Sequence, residues 1–279
     1  SDFPYFAAVD QYWRSYREAC DVVRGNYPFN ADSQFTLAFI GMSFTAENML
    51  KGAYEKTLGR LAQWTAPQPT EEEIYAARVA QEYGEFMHMT PWYFFPFKER
   101  LQGLWRETSL WGPHPIRKWE RKLALTLEYG GKILYGGFTN LGAQATYGGA
   151  DVEKIYAVTT GMSEAMLSSD LEPVQAIDDQ RQLIRITRFE YFSDALPGLT
   201  ERGVQFVEIA GNDDVLFTLR GPEAADYDFE HGTYLFDLPI LTEPGLTRTA
   251  VNVRVADIAA FLEELKSRPD LQFEHMYDY

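Results

Sequence analysis

Along the first half of the chain, apolar residues recur at steps of three and four, the spacing that lines one face of a helix. In residues 3–24 they are Phe3, Phe6, Ala7, Trp13, Tyr16, Cys20 and Val23, and "GNYPFN" ends the segment with a glycine and a proline. "NADSQF" offers N-cap residues for a second helix from about 33 to 63, where Leu37, Ile40, Phe44, Met49, Ala53 and Leu58 outline an apolar face. "WTAPQPT" interrupts, because its prolines lack the N–H and the φ freedom of a helix. Thr70 followed by Glu71, Glu72 and Glu73 is a capping-box pattern, with carboxylates at the positive end of a third helix that runs to about Met89.

Pro91 and Pro96 make "PWYFFPF" an irregular turn into a short helix at 97–108, and "WGPHP" breaks the chain again. From Pro115 a long helix is predicted to about Thr146, with Ile116, Trp119, Leu123, Leu127, Leu134 and Leu141 on one side. Gly130, Gly131, Gly136, Gly137 and Gly142 lie inside it. Each costs roughly 1 kcal/mol relative to Ala in a helix interior. The pattern therefore demands close approach of a neighbouring element there, or a break near Gly130 or Gly136.

The second half changes period. "LIRITRFEYFSDALPGLTERGVQFVEIA" (183–210) reads as strand, helix, strand, and "AVNVRVADIAAFLEELKSRPDLQFEHMYDY" (250–279) repeats that order. Its helix carries the stripe Ile258, Phe261, Leu262 and Leu265, and the two units rhyme at "GVQFVE" and "DLQFEH". Between them "GNDD" is a hairpin signal before "VLFTLRG", and the insert 221–248 adds a strand-like "TYLFDL". The expected fold class is α+β: an all-helical domain at 1–149, then a ferredoxin-like (βαβ-repeat) α/β sandwich domain at 150–279.

Charge sharpens that division. The 279 residues carry a formal charge of −16, yet residues 1–148 hold 15 Lys and Arg against 16 Asp and Glu. Almost all the negative excess lies beyond them, whereas residues 98–122 hold seven basic and three acidic residues. An acidic second half repels phosphates, which argues against nucleic-acid binding there. The basic stretch invites docking against the chain's own acidic half. No run reaches the ~18 apolar residues of a spanning helix: "SQFTLAFIGMSFTA" is too short and "ILYGGFTNLGAQATYGG" too polar. A soluble chain, cytoplasmic or envelope-associated after removal of an upstream segment, fits this composition. The single Cys20 excludes an intramolecular disulfide framework and reads as a small apolar helix residue.

Catalytic signatures are missing: no GxSxG, Walker, GxGxxG or HExxH pattern occurs. The Gly-rich "YGGKILYGG" and "TYGGA" lack the strand-then-helix setting of a phosphate loop. Glu85 and His88 have the i, i+3 spacing of a helix metal ligand pair, and Glu47 and Glu128 are further candidates for a metal-dependent enzyme. A second ExxH is absent, so no cofactor is predicted. Asp178, Asp179, Asp213 and Asp214 sit where turns are expected. His114 lies between two prolines, while His231 and His275 have no evident partner in the sequence.

Four of the six tryptophans fall within 91–122, among arginines and lysines. Burial of these rings in the helical core is the first expectation, with the cations snorkelling outward or pairing with the acidic half. The functional expectation is a non-catalytic module for a protein partner or self-association, contacting through Trp92, Trp105, Trp111, Arg117, Lys118, Trp119, Arg121 and Lys122, since Trp and Arg dominate interface hot spots. Contact with a membrane surface and small-ligand binding by the ferredoxin-like domain are the remaining readings.

Overall fold

A computed structural model describes residues 3–26, 31–66, 68–147, 153–223 and 225–278. It has N-terminal helices followed by antiparallel sheets. The chain divides into two compact units, residues 53–152 and a unit formed by 1–52 together with 153–279. The first 52 residues thus group with the sheets, not with the remaining helices. The expected boundary near 150 and the "TYGGA" stretch fall largely outside the described residues, as do the side chains of Leu141 and Gly142.

In the sheet-containing unit, α1 (Tyr5–Asn26) and α2 (Ala31–Tyr54) pack through aromatic rings. Tyr12 stacks on Phe44 at 5.5 Å, and the Trp13 indole donates to Thr45 Oγ1 at 2.8 Å. Gly41 permits this approach, because a Cβ there would lie 2.3 Å from the Tyr12 ring. Cys20 is half-buried on α1, its thiol 3.3 Å from Gln34 Oε1.

The strands are β1 (Lys154–Thr160), β2 (Leu171–Ala176), β3 (Arg181–Thr187), β4 (Gln205–Ile209), β5 (Asp214–Pro222), β6 (Thr233–Pro239), β7 (Leu246–Arg254) and β8 (Gln272–Tyr277). Helix α7 (Glu190–Glu201) precedes β4, and α8 (Ile258–Lys266) precedes β8. The strands form two sheets, ordered β2-β3-β1-β4 and β6-β7-β5-β8. The expectation for residues 150–279 was one ferredoxin-like sandwich built from both strand–helix–strand units. Instead, the units 183–210 and 250–279 lie in different sheets, each completed by two strands preceding its central one.

The two sheets are one design used twice. Ala157 pairs with Ile209 as Phe217 pairs with Met276, and Thr159 pairs with Phe206 as Leu219 pairs with Phe273. A register shift falls at the same step in both, between Val158 and Thr159 and between Thr218 and Leu219. On the other edge Pro173 faces Ile184 as Tyr234 faces Val251, and both edges shift one step later. The rhyming Gln-Phe pairs, 205–206 and 272–273, occupy matching register positions. Bulges at equivalent sites bend both sheets alike, and inward-facing residues of both, such as Ile184, Ile186, Phe217 and Val251, join one apolar core.

In the helical unit, the helix continues from α2 through a π-helical stretch, Glu55–Gly59, into α3 (Arg60–Gln63). Then follow α4 (Glu71–Met89), α5 (Phe97–Glu107) and α6 (Pro115–Tyr147). Their core is Tyr75, Val79, Phe95, Phe97, Leu104, Leu125 and Tyr129. The glycines do not break α6. At Gly136 the short turn Trp92–Phe94 comes close, with Trp92 and Tyr93 atoms 3.6 Å from a hypothetical Cβ.

Candidate functional site

The first two turns of α6 read "PIRKWERK", placing Arg117, Lys118, Arg121 and Lys122 as two adjacent pairs one turn apart. Positions four apart share a helix face, so all four cations crowd one side. Facing them is the first turn of α4. Thr70 caps it with a complete capping box: its hydroxyl accepts from Glu73 N–H, and Glu73 accepts from Thr70 N–H at 2.9 Å. The cap orients Glu71, Glu72 and Glu73, and each receives a cation from α6.

Arg117 bonds Glu73 through Nε at 3.1 Å, and its Nη1 reaches Glu120 Oε2 and the Gly59 carbonyl, each at 2.9 Å. Lys118 Nζ sits 2.7 Å from Glu71 Oε2 and 2.9 Å from Glu72 Oε1. Arg121 donates to Glu55 at 2.7 Å and to Glu120 at 3.1 Å. Lys122 Nζ donates to the carbonyls of Thr108 and Ser109 at 3.1 and 3.2 Å, with Glu72 Oε1 at 3.4 Å. Tyr54 donates to Glu120 as well. Gly59 makes room for this assembly, since a Cβ there would lie 2.8 Å from Glu55 Oε2.

Arg117, Lys118, Lys122 and Glu72 are all buried. Glu72 Oε2 and Arg121 Nη2 are buried without a hydrogen-bond partner. The charges respond to one another. Hydrogen bonds from Lys118, and then from the Ser109 N–H and hydroxyl, hold Glu71 down to about 2. Burial pushes Glu73 upward, but Arg117 and the Thr70 N–H bring it below the usual carboxylate range. Burial lowers Lys118, yet its hydrogen bonds to Glu71 and Glu72 leave it raised. Burial and the Glu120 hydrogen bond raise the Tyr54 hydroxyl.

This geometry corrects the docking expectation. The partners of Arg117, Lys118, Arg121 and Lys122 are carboxylates of the same helical unit, not the acidic second half. These four side chains form an internal lock with five carboxylates, and Arg117, Lys118 and Lys122, buried in it, present no surface to a partner. The indoles divide differently. Trp92 is half-buried and stacks on Tyr135 at 5.2 Å. Trp119 is half-buried between Trp105 and Trp111, with ring centroids 6.2 and 6.4 Å away. Lys122 Nζ lies 5.3 Å from the Trp105 ring centre, so the lock abuts this indole cluster. Trp105 is partly exposed and Trp111 is 76% exposed.

The candidate metal ligands do not assemble. Glu47 pairs with Lys51 at 2.9 Å, Glu85 accepts from Gln81 at 3.0 Å, and His88 is exposed on α4. Glu128 lies on α6, and no group of three or more His, Cys, Asp or Glu among the described residues is placed to hold a metal. Asp178 does turn chemistry, accepting from the N–H groups of Gln180 and Arg181, which hold its carboxyl near about 2 together with the Arg181 side chain. His114 Nδ1 lies 2.7 Å from the Thr65 carbonyl oxygen.

His275, without an evident partner in sequence, gains one in space. Its Nδ1 is 3.0 Å from Ser193 Oγ, which also accepts the Met276 N–H at 3.0 Å. Arg188 pairs with Asp278, and Lys266 with Glu201 at 2.9 Å. All three contacts tie one repeat to the other. Ser193 is buried, so it joins helix to strand and offers no accessible nucleophile. The only sequence signal for this junction was the rhyme between the two units.

Comparison with known protein families, curated proteins and solved structures gives no match to this chain. No helix among the described residues is long and apolar enough to cross a membrane.

Proposed function

We propose that the protein is a non-catalytic assembly module that engages a protein partner through the apolar surface of its helical unit. One observation carries this reading: the cations are consumed inside the lock, while Trp105, Trp111, Leu110 and Ile116 stay exposed around it. A rigid scaffold that leaves indole and aliphatic groups in water matches the make-up of interface hot spots. The contact is therefore apolar, where the sequence had suggested an aromatic and basic one. Trp111→Ser with Ile116→Ser tests it by light scattering and by cross-linking in lysate of the source cells. Loss of the assembled or cross-linked species supports the reading. Identical behaviour of wild type and variant overturns it.

A second reading rests on the sheets. Strand order 2-3-1-4 with one helix supports describing each repeat as a ferredoxin-like sheet whose first crossover helix is replaced by a loop. This reading places a small ligand in an open groove of about 370 Å³ on β1, bordered by Lys154, Tyr156, Arg188 and Glu208. A thermal-shift screen with amino acids and nucleotides tests this, since a ligand of the folded state raises the melting temperature.

A further inference from the structure

Helix α6 has two faces of opposite character. Leu125, Tyr129 and Gly136 point into the helical unit, whereas Leu123, Leu127, Leu134 and Phe138 lie along the other side in water, Leu127 at 78% and Phe138 at 73% exposure. Two of the five α6 glycines expected to need a close neighbour, Gly130 and Gly131, lie midway along that stripe with nothing within 4 Å of a hypothetical Cβ. Nothing described within the helical unit supplies the approach that would offset their helix cost of roughly 1 kcal/mol each.

The order of this stripe says what covers it. Its spacing is the same from either end, Leu123, Leu127, the Gly130–Gly131 pair, Leu134, then Phe138, with a phenylalanine at one end where the other has a leucine. Such a palindrome is self-complementary only under a two-fold axis, which sets residue i against j and j against i. From Leu123 to Tyr147 the helix holds just two charged residues, Glu128 and Lys132, and the Lys132 amine lies over the Tyr83 and Phe97 rings of its own unit. No like charges therefore oppose each other along the stripe.

The geometry points to a second copy of this chain as the occupant. Two α6 helices pack antiparallel about an axis between Gly130 and Gly131, with Leu127 against the partner's Leu134 and Leu123 against the partner's Phe138. The paired glycines let the backbones approach closely. The inference rests on the assembly reading and names its partner for this face.

The test uses the full chain with Cys20→Ser. Leu127→Cys and Leu134→Cys proteins are oxidised separately and mixed. A disulfide-linked dimer in the mixture alone is expected, because antiparallel packing separates like positions by about 10 Å along the axis, beyond disulfide reach. Equal cross-linking of Leu127→Cys with itself, or no cross-link in any sample, overturns the proposal. Gly130→Ala/Gly131→Ala guards against misfolding: it should raise the melting temperature of the monomer while weakening dimerisation about tenfold or more in sedimentation. Undiminished dimerisation of that variant also overturns it. A monomer that still captures another protein through Trp111 sinks this inference and leaves the assembly reading intact.

Discussion

The two units of this chain close their interiors by opposite means. Between the sheets the buried residues are almost all apolar, with Phe192, Phe217, Leu219 and Phe261 fully enclosed. The helical unit instead buries Arg117, Lys118, Lys122 and Glu72 beside a small aromatic cluster. Apolar burial is non-directional and tolerates salt and pH. A buried ion lock is directional: it costs desolvation on both sides and holds only while every partner is present. The comparison shows a unit in which helix placement depends on charge matching, with rings left over for the surface.

The largest effects should come from the two cores. Phe217→Ala is expected to cost about 3–5 kcal/mol, with little dependence on salt, read from the far-UV signal of the sheets. Glu72→Ala should cost a similar amount, about 3–5 kcal/mol, because two lysines would remain buried without their shared carboxylate. Five of the six tryptophans lie in residues 53–152, so indole fluorescence follows this loss selectively. Replacing the group together, as Glu72→Leu/Lys118→Met/Lys122→Met, should be near neutral or stabilising. A strongly destabilised triple variant would erase the contrast between the units.

Acid sharpens the comparison further. Glu71 and Glu73 have lowered folded pKa values, so their stabilisation is complete above the ordinary value of about 4.5 and is lost as pH falls, for Glu71 toward about 2. Lys118 is raised, so its contribution is complete below its ordinary value of about 10.5 and fades only as pH rises through the raised one. Carboxylates of the sheet-containing unit, such as Glu172 and Glu274, are lowered too. The buried charges among the described residues all lie in the helical unit, however, so titration from pH 5 downward should change indole fluorescence before it melts the sheets. Coincident transitions would mean that the lock is not the weaker structure in acid. The smallest effect belongs to the helix start: Thr70→Ala should cost about 1 kcal/mol, measured by denaturant midpoint, because it removes one side of the capping box.

Much of the local structure was readable beforehand. The Thr70–Glu73 box, Pro115 at the start of α6 and the Ile258–Leu265 stripe of α8 are set by short-range geometry, and each occurs as the residues indicate. Strands β1 and β2 escaped notice, since the mixed polarity of "KIYAVTT" and "LEPVQA" hides their alternation. The cations of the site were singled out for their chemistry, but their partners were not legible. Arg117, Lys118 and Lys122 look like surface cations until Glu71, Glu72 and Glu73 are brought over them.

What the sequence determined by itself was periodicity, punctuation and charge segregation: which stretches coil, where they stop, and that two similar strand–helix–strand units exist. Tertiary structure alone decided that these units belong to separate sheets and that the basic cluster is satisfied within its own helices. Helix and turn signals act over three or four neighbouring residues and can be read along the chain. Strand pairing, and the partner of a buried ion, depend on residues tens of positions away, which only the folded backbone brings within a few ångströms.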